Sequence, residues 1–376
     1  MERWRFVDLG ARDGYFIQSV YEAVAKFVGS GRSPPTLIFV YPSHPYVCIG
    51  VNQLPDLEVD TELCRKLGIP IVRRQVGGGA VYLDQNQQFY HVIVPRNHPL
   101  ARGTVEDFFR NVLRAVVEFY RSYGLPAEYK PVNDVVIRGR KASGNGAALL
   151  HGSMVLIGNV ILDFDAETAA KILRVPDEKL RSHLVATMKE WVTSLRRELG
   201  YVPPRHEVVI KLRKCFEDAL GIELVDGELS AEELEETRRI AEKLASKEWL
   251  YALADGREDL LRRYVPGTRV VKVREGHYIA YVDHRGEKTV RIVLETVEGI
   301  VNSVIISGDF FVDPPDVLLE ISKQLRGTKI SEVVERSRSV VEEALSKARI
   351  VVGVKPNDIV EALRKSIEIL ENFATS

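Results

Sequence analysis

Two short stretches carry residue types that can do chemistry. In Arg73-Arg74-Gln75-Val76-Gly77-Gly78-Gly79-Ala80-Val81-Tyr82, two guanidinium forks precede three glycines between apolar runs. Glycines reach positive φ and let backbone N–H groups close on an anion, and an arginine fork adds charge-assisted hydrogen bonds, so the stretch suits a phosphate. The same residues also suit a permissive hairpin turn beside two surface arginines. The second stretch runs Asn133-Asp134-Val135-Val136-Ile137-Arg138-Gly139-Arg140-Lys141-Ala142-Ser143-Gly144-Asn145-Gly146 and on to Leu150-His151-Gly152-Ser153. A lysine among small residues suits a point charge held over a carboxylate and an α-phosphate as they are joined, with an ordinary solvated lysine as the plainer alternative. His151, at a strand start beside Leu149 and Leu150, reads as a hydrogen-bonded structural histidine, with His44 and His91 weaker candidates for chemistry.

The elements that must position these residues follow from periodicity. Phe16, Val20, Ala23, Val24 and Phe27 recur at helix spacing and predict a helix over 14–28. The runs 36–41 and 46–50 around a Pro/Ser/His turn predict paired strands. A helix over 60–67 and strands over 69–73, 80–83 and 89–95 bracket the glycine loop. Phe108, Val112, Ala115, Val116 and Phe119 form one face of a helix over 105–123, ended by Pro126 and Pro131. A strand over 134–137 and an Arg-Gly-Arg turn follow, then two apolar runs, 153–156 and 159–164, broken by Gly158. Ser230 with Glu233 is a capping box opening a helix through Leu244, read as surface scaffolding. From Arg269 the pattern changes to strands over 269–274, 277–282, 289–294 and 299–307, then to helices from Pro314. Ile359, Leu363, Ile367 and Leu370 mark the packed face of the last one. The fold class expected is α/β (α+β): mixed sheets with packed helices, 1–262 as a large domain and 263–376 as a small α/β domain.

Together the two stretches resemble the lipoate-protein ligase family, marked by an Arg-Arg-x-Ser/Thr-Gly-Gly-Gly-Ala-Val loop and an Asn-Asp…Arg-Lys-x-Ser-Gly-x-Ala segment leading to His-Gly-Ser/Thr. Cys48-Ile49-Gly50-Val51-Asn52-Gln53, Val192-Thr193-Ser194-Leu195, Lys247-Glu248-Trp249 and, in the tail, Ile306-Ser307-Gly308-Asp309-Phe310-Phe311 extend the resemblance over nearly the whole chain. It implies the biotin/lipoate ligase fold with a C-terminal accessory domain closing over the adenylate. The implied reaction takes lipoate and ATP to lipoyl-AMP, then to a lipoyl amide on a lysine of lipoyl domains of 2-oxoacid dehydrogenase E2 subunits or of glycine-cleavage H protein. By position, Lys141 is the catalytic residue. Arg74, Gly77, Gly78, Gly79, Ala80, Val81 and Tyr82 join it in binding the nucleotide and lipoyl-adenylate. Mg²⁺ is expected to bridge ATP oxygens, with Asp84 and Asp134 as candidates near it, and Val47, Ile49, Val76 and Val81 as linings of a slot for the acyl chain, or as plain core. Departures bear on the preferred acyl group: Val76 replaces Ser/Thr, Gln85-Asn86-Gln87 replaces Leu-Gly-Asn, and Gln18 and Tyr21 stand where Asn and Asp are typical, with Glu22 kept.

Composition narrows the alternatives. Lys plus Arg number 52 against 53 for Asp plus Glu, a net charge of -1, which gives no field to hold a nucleic acid. Cys48, Cys64 and Cys215 form no CxxC pair, so neither a disulfide framework nor a cysteine zinc site is indicated. No apolar segment follows the charged N-terminus and none is long enough to span a bilayer, so a cytoplasmic protein is expected. An octanoyltransferase of the same fold is the first rival. It moves the acyl group from a carrier protein through a cysteine or lysine without ATP, and 65–214 holds no cysteine. A biotin ligase would need a Gly-Arg-Gly-Arg-type loop, of which Gly139 and Arg140 are a fragment. A non-catalytic binder of lipoate or lipoyl domains is the third rival.

Overall fold

The computed structural model describes residues 1–174 and 184–374. They divide into two compact units: Met1–Val47, Tyr82–Ala170 and His183–Ala245 in the first, Cys48–Val81, Lys171–Ser182 and Ser246–Ser376 in the second. Both units are discontinuous, whereas the 1–262 and 263–376 division runs along the chain.

The first unit is built on an eight-stranded mixed sheet, in the order Ile222–Asp226, Glu2–Arg12, Thr36–Pro42, Gln87–Pro95, Ser153–Ile161, Arg140–Leu150, Asp134–Ile137, Ala127–Lys130. The first three strands run parallel and the remaining pairs antiparallel. Alternation along the strands separates two faces. Ile38, Ile93 and Val155 meet Val20, Tyr21, Val24 and Val28 of the helix Gly14–Gly29, whose first turn is capped by Asp13 accepting from Phe16 N at 3.0 Å. On the other face Leu37, Phe39, Tyr90 and Leu156 meet Phe108, Val112 and Phe119 of the helix Val105–Arg121 and Leu212 and Phe216 of Arg205–Leu220. Each such side chain, fully buried, contributes about 1.5–3 kcal/mol.

The sheet corrects several expectations. Thr36–Pro42 lies between Glu2–Arg12 and Gln87–Pro95, so Tyr46–Ile49 is not its partner. Glu2–Arg12, to which the pattern assigned no element, is an interior strand because Trp4 and Phe6 bury while Arg3 and Arg5 pair with Glu223 and Glu233. Residues 153–161 are one strand through Gly158; the Arg-Gly-Arg turn is present, with Arg138 and Gly139 at positive φ, and it leads into a strand, Arg140–Leu150, that the pattern did not predict. The capping box at Ser230 and Glu233 is present, with both reciprocal bonds made. Its helix, Ala231–Ala245, packs along Gly14–Gly29, and Glu233 is fully buried on Arg5 at 2.6 Å, so it is a packed layer rather than scaffolding outside the core.

In the second unit the strands Val270–Arg274, His277–Arg285, Thr289–Val297 and Ile300–Gly308 form an antiparallel meander in chain order. Asp316–Leu325, Val333–Ser346 and Pro356–Ala374 cover it, with Leu318, Ile321, Val341, Ile359 and Leu363 in a core with Ile292, Leu294 and Ile306. Cys48–Val81 is tied into this body. Asn52 Nδ2 donates to Val312 O at 3.3 Å, its Oδ1 accepts from Val312 N at 2.8 Å, and its carbonyl accepts from Gly308 N at 2.8 Å. Glu58 and Asp283 both pair with buried Arg291.

Candidate active site

Lys141 lies in the strand Arg140–Leu150, beside a register shift opposite Val135 and Val136. Its Nζ is 2.6 Å from Asp134 Oδ1, a pair still open to solvent. Its carbonyl accepts from Thr193 N at 2.9 Å, and Thr193 Oγ1 in turn donates to Glu198 Oε1 at 2.6 Å. The Val192 to Leu195 motif therefore sits against the lysine. Ser194 caps the next short helix.

Behind the strand, on the other face, Tyr90 OH donates to Asn145 Oδ1 at 2.5 Å and lies 3.0 Å from Ser143 Oγ, while Asn145 Nδ2 donates to Asn133 O at 2.9 Å. Burial pushes the Tyr90 phenol up, against the pull of these partners. In front, Asn159 Oδ1 accepts from Gly144 N at 2.9 Å and Asn159 Nδ2 donates to Gln87 Oε1 at 2.5 Å. Sequence reasoning missed Tyr90 and Asn159. A buried asparagine after Gly158 in an apolar run was the available signal, since such a group persists only when hydrogen-bonded.

Arg74 and Gly77 to Val81 belong to the second unit, Tyr82 and Lys141 to the first. Both arginines of the glycine stretch are turned inward. Arg74 Nη2 donates to Gly77 O at 2.7 Å and Gly79 O at 3.0 Å, and Nη1 to Cys48 O at 3.2 Å. Arg73 is fully buried: Nε donates to Val51 O at 2.7 Å and Nη1 to Trp249 O at 2.7 Å, with the guanidinium 4.7 Å from the Trp249 ring. Burial lowers its pKa to about 10. Gly78 has φ +96°, and a Cβ on Gly77 would stand 2.5 Å from Phe311 Cβ, so close packing and a left-handed turn both require glycine here.

The remaining candidates are placed as follows. Val47, Ile49 and Val76 are buried to within 1%, whereas Val81 is 40% exposed, so three of the four slot residues are core here. His151 and Gly152, at φ +49° and +80°, form the two-residue turn between Leu150 and Ser153, and His151 Nε2 is 3.3 Å from Glu22 Oε1. His44 is on the surface beside Ser43, and His91 is buried on the sheet against Tyr21. Both carboxylate oxygens of Asp84 accept from Asn86, and burial raises the Asp84 pKa; burial likewise pushes Tyr82 up to about 12, with Asp84 and Asp165 adding to it. Among the described residues no group of three His, Cys, Asp or Glu side chains that could hold a metal ion converges. Cys215, the one cysteine of the first unit's described residues, packs with the helices on the sheet face away from Lys141, and burial pushes it up to about 11. Cys48 and Cys64 are buried in the second unit, their thiols raised by burial, Cys64 to about 11.

The mixed sheet with helices packed on both faces is the fold of lipoate ligases, and likeness to known proteins defines the class: an enzyme of the lipoate ligase and octanoyltransferase family with the biotin/lipoate ligase fold. The chain belongs to the lipoyl protein ligase A/B catalytic domain family, whose model matches residues 13–217. It is 30% identical over 273 residues to an octanoyltransferase LipM of Kyrpidia tusciae, covering 67% of this chain and 99% of that one. Among solved structures it is similar to a bi-partite lipoate protein ligase of Thermoplasma acidophilum, described with its E2 lipoyl domain, at 26% identity and a TM-score of 0.60 over 66% of this chain and 96% of that one. P. falciparum LipL1 in complex with lipoate shares the fold over 99% of this chain and all of its own, at 13% identity and a TM-score of 0.63. No helix among the described residues is long and apolar enough to cross a membrane.

Proposed function

We propose that this chain attaches a medium-chain acyl group to a lysine of a lipoyl domain, and that the group arrives as an octanoyl thioester on a carrier protein. The observation that carries the reading is Lys141, an ammonium fixed by Asp134 and by the backbone bond to Thr193 on a strand clamped from both faces. Such a charge stabilises the oxyanion that forms when the acceptor amine attacks the thioester carbonyl; the C–N bond forms, the C–S bond breaks and the amine proton leaves with the thiolate. Relatives named octanoyltransferase LipM, matched over 98–99% of their own length, support the octanoyl donor. Lipoyl domains are the acceptor class by likeness to the Thermoplasma acidophilum protein.

One observation favours a second reading, an ATP-dependent lipoate ligase. Among the described residues of the first unit no thiol accompanies Lys141, so a cysteine acyl-enzyme has no nucleophile there. In that reading lipoate and ATP would give lipoyl-AMP and pyrophosphate, with Lys141 serving the carboxylate and phosphate; Tyr82 in the first unit and Arg74 and Gly77 to Val81 in the second are the residues that the resemblance assigns to the nucleotide, and Mg²⁺ would supply charge neutralisation. The test is to incubate the chain with an apo lipoyl domain and either octanoyl carrier protein, or lipoate with ATP and Mg²⁺, and to weigh the acceptor by mass spectrometry. An octanoyl gain without ATP supports the first reading. A lipoyl gain that needs ATP replaces it by the second, and no gain from either donor leaves a binding protein.

A further inference from the structure

Lys141 stands at an irregularity in its strand. Val136 pairs with Lys141 and Val135 with Ser143, so Ala142 is one residue more than the partner strand can match. Such a bulge re-aims a side chain and leaves its extra residue unpaired in the ladder. Two ties from elsewhere in the fold hold it: Ala142 O accepts from Tyr120 OH at 2.6 Å, and Lys141 O from Thr193 N at 2.9 Å. A third runs through side chains. Thr193 Oγ1 donates to Glu198 Oε1 at 2.6 Å, and Arg138 Nη1 donates to Glu198 Oε2. The Glu198 carboxylate, on a side chain only 5% exposed, thus closes a ring from Arg138 through Thr193 to Lys141 and back along the chain.

Arg138 is an unfavourable residue for its own turn. Ile137 pairs with Arg140, so Arg138 and Gly139 form a two-residue turn in which both have positive φ, +50° and +78°. Asn or Gly at the first of these positions would adopt that conformation with less strain. What arginine adds there is the guanidinium that meets Glu198.

We propose that Glu198 is a positioning residue for Lys141. By holding Arg138 and Thr193 on one carboxylate it fixes the bulge, and the bulge fixes the direction in which the ammonium points. Misplacing a reacting group by about 1 Å costs about a hundredfold in rate, so the ring acts on turnover rather than on the binding of donor or acceptor. The assignment rests on the acyl-transfer reading and is indifferent to which donor supplies the group.

The test measures kcat, donor KM and acceptor KM in wild type, Glu198→Ala, Glu198→Gln and Arg138→Asn, with urea unfolding alongside. Glu198→Ala leaves the buried Thr193 hydroxyl without its acceptor and costs stability on that ground alone, so Arg138→Asn carries the decision. Asn suits the turn better than arginine and lacks the guanidinium. Its unfolding midpoint should equal or exceed that of wild type, while kcat falls about three- to tenfold and both KM values stay within about twofold. Glu198→Ala should lower kcat about tenfold or more, and Glu198→Gln, which keeps an acceptor for Thr193, should recover part of it. Wild-type kcat in Arg138→Asn, or a loss in Glu198→Ala that only tracks the fraction folded, would overturn the assignment while leaving acyl transfer intact. Absence of transfer by the wild type from either donor would remove the reading and the assignment together.

Discussion

Lys141 and His91 show how burial decides what a charged or titratable residue does. The Lys141–Asp134 pair faces solvent, where such pairs are worth about 0–1 kcal/mol, so it adds little to stability, whereas the proposed function gives Lys141 a role in acyl transfer. Lys141→Ala should therefore keep its unfolding midpoint and lose about a hundredfold or more in turnover, read as acceptor mass gained per unit time. His91 is the opposite case. Burial depresses its pKa to about 3, while the unfolded chain titrates near the ordinary value of about 6.5. Between those values the unfolded state binds a proton that the folded state refuses, so stability falls as pH drops through about 6.5 towards 3, by about 1.4 kcal/mol per pH unit in mid-window. Urea unfolding at a series of pH values should show this slope, and His91→Leu should flatten it. An unchanged slope would assign the acid sensitivity to carboxylates.

At the scale of elements, glycines mark where strands and helices come too close for a side chain. A Cβ on Gly158 would stand 2.0 Å from Asn145 Oδ1 and 2.5 Å from Tyr90 OH. Gly158→Ala should therefore break the rear clamp of the Lys141 strand and destabilise by about 1–3 kcal/mol, measured by denaturant midpoint. Tyr90→Phe in that background should recover little of the loss, because Asn145 Oδ1 at 2.0 Å and the ring Cζ of residue 90 at 2.6 Å still meet the methyl.

The same region shows what was legible in the sequence. Lys141, Asp134 and Thr193 stood in motifs that folding brings together, and the β-rich runs that predict strands over 89–95 and in the C-terminal meander are local, whereas His151, read at a strand start, lies in the turn before it. Arg140–Leu150 was not legible because Gly, Ser, Asn and Ala are poor strand formers. They are held in a strand by Tyr90 and Asn159, which lie on other strands. The glycine loop was read as an anion cradle from its composition. That Gly77 must also clear Phe311, and that Arg74 is engaged with Gly77 and Gly79 carbonyls, depends on contacts a local pattern cannot contain.

On the scale of the whole molecule, each unit has its own core and the second is closed by long-range polar contacts. Asn52 is fully buried and satisfies both backbone groups of Val312. Asn52→Ala leaves that N–H and C=O without partners, at a cost of about 1–3 kcal/mol for each buried group. Hydrogen exchange should then quicken over residues 48–81 and around 308–313 while the strand Arg140–Leu150 keeps its protection. Uniform loss of protection throughout the chain would mean that the two units unfold as one.

The Asn52 to Val312 clasp also sets a clock. Its two residues are 260 positions apart. At about 5–20 residues per second of synthesis, the ribosome needs roughly 13–52 s to deliver the second after the first. For that interval the nascent glycine loop exists without Phe311 and Val312; the interior strand Glu2–Arg12 likewise waits for Ile222–Asp226, which arrives earlier. The second unit therefore matures only near the end of translation, and a ribosome stalled early would hold a chain whose glycine loop has not yet taken its folded shape.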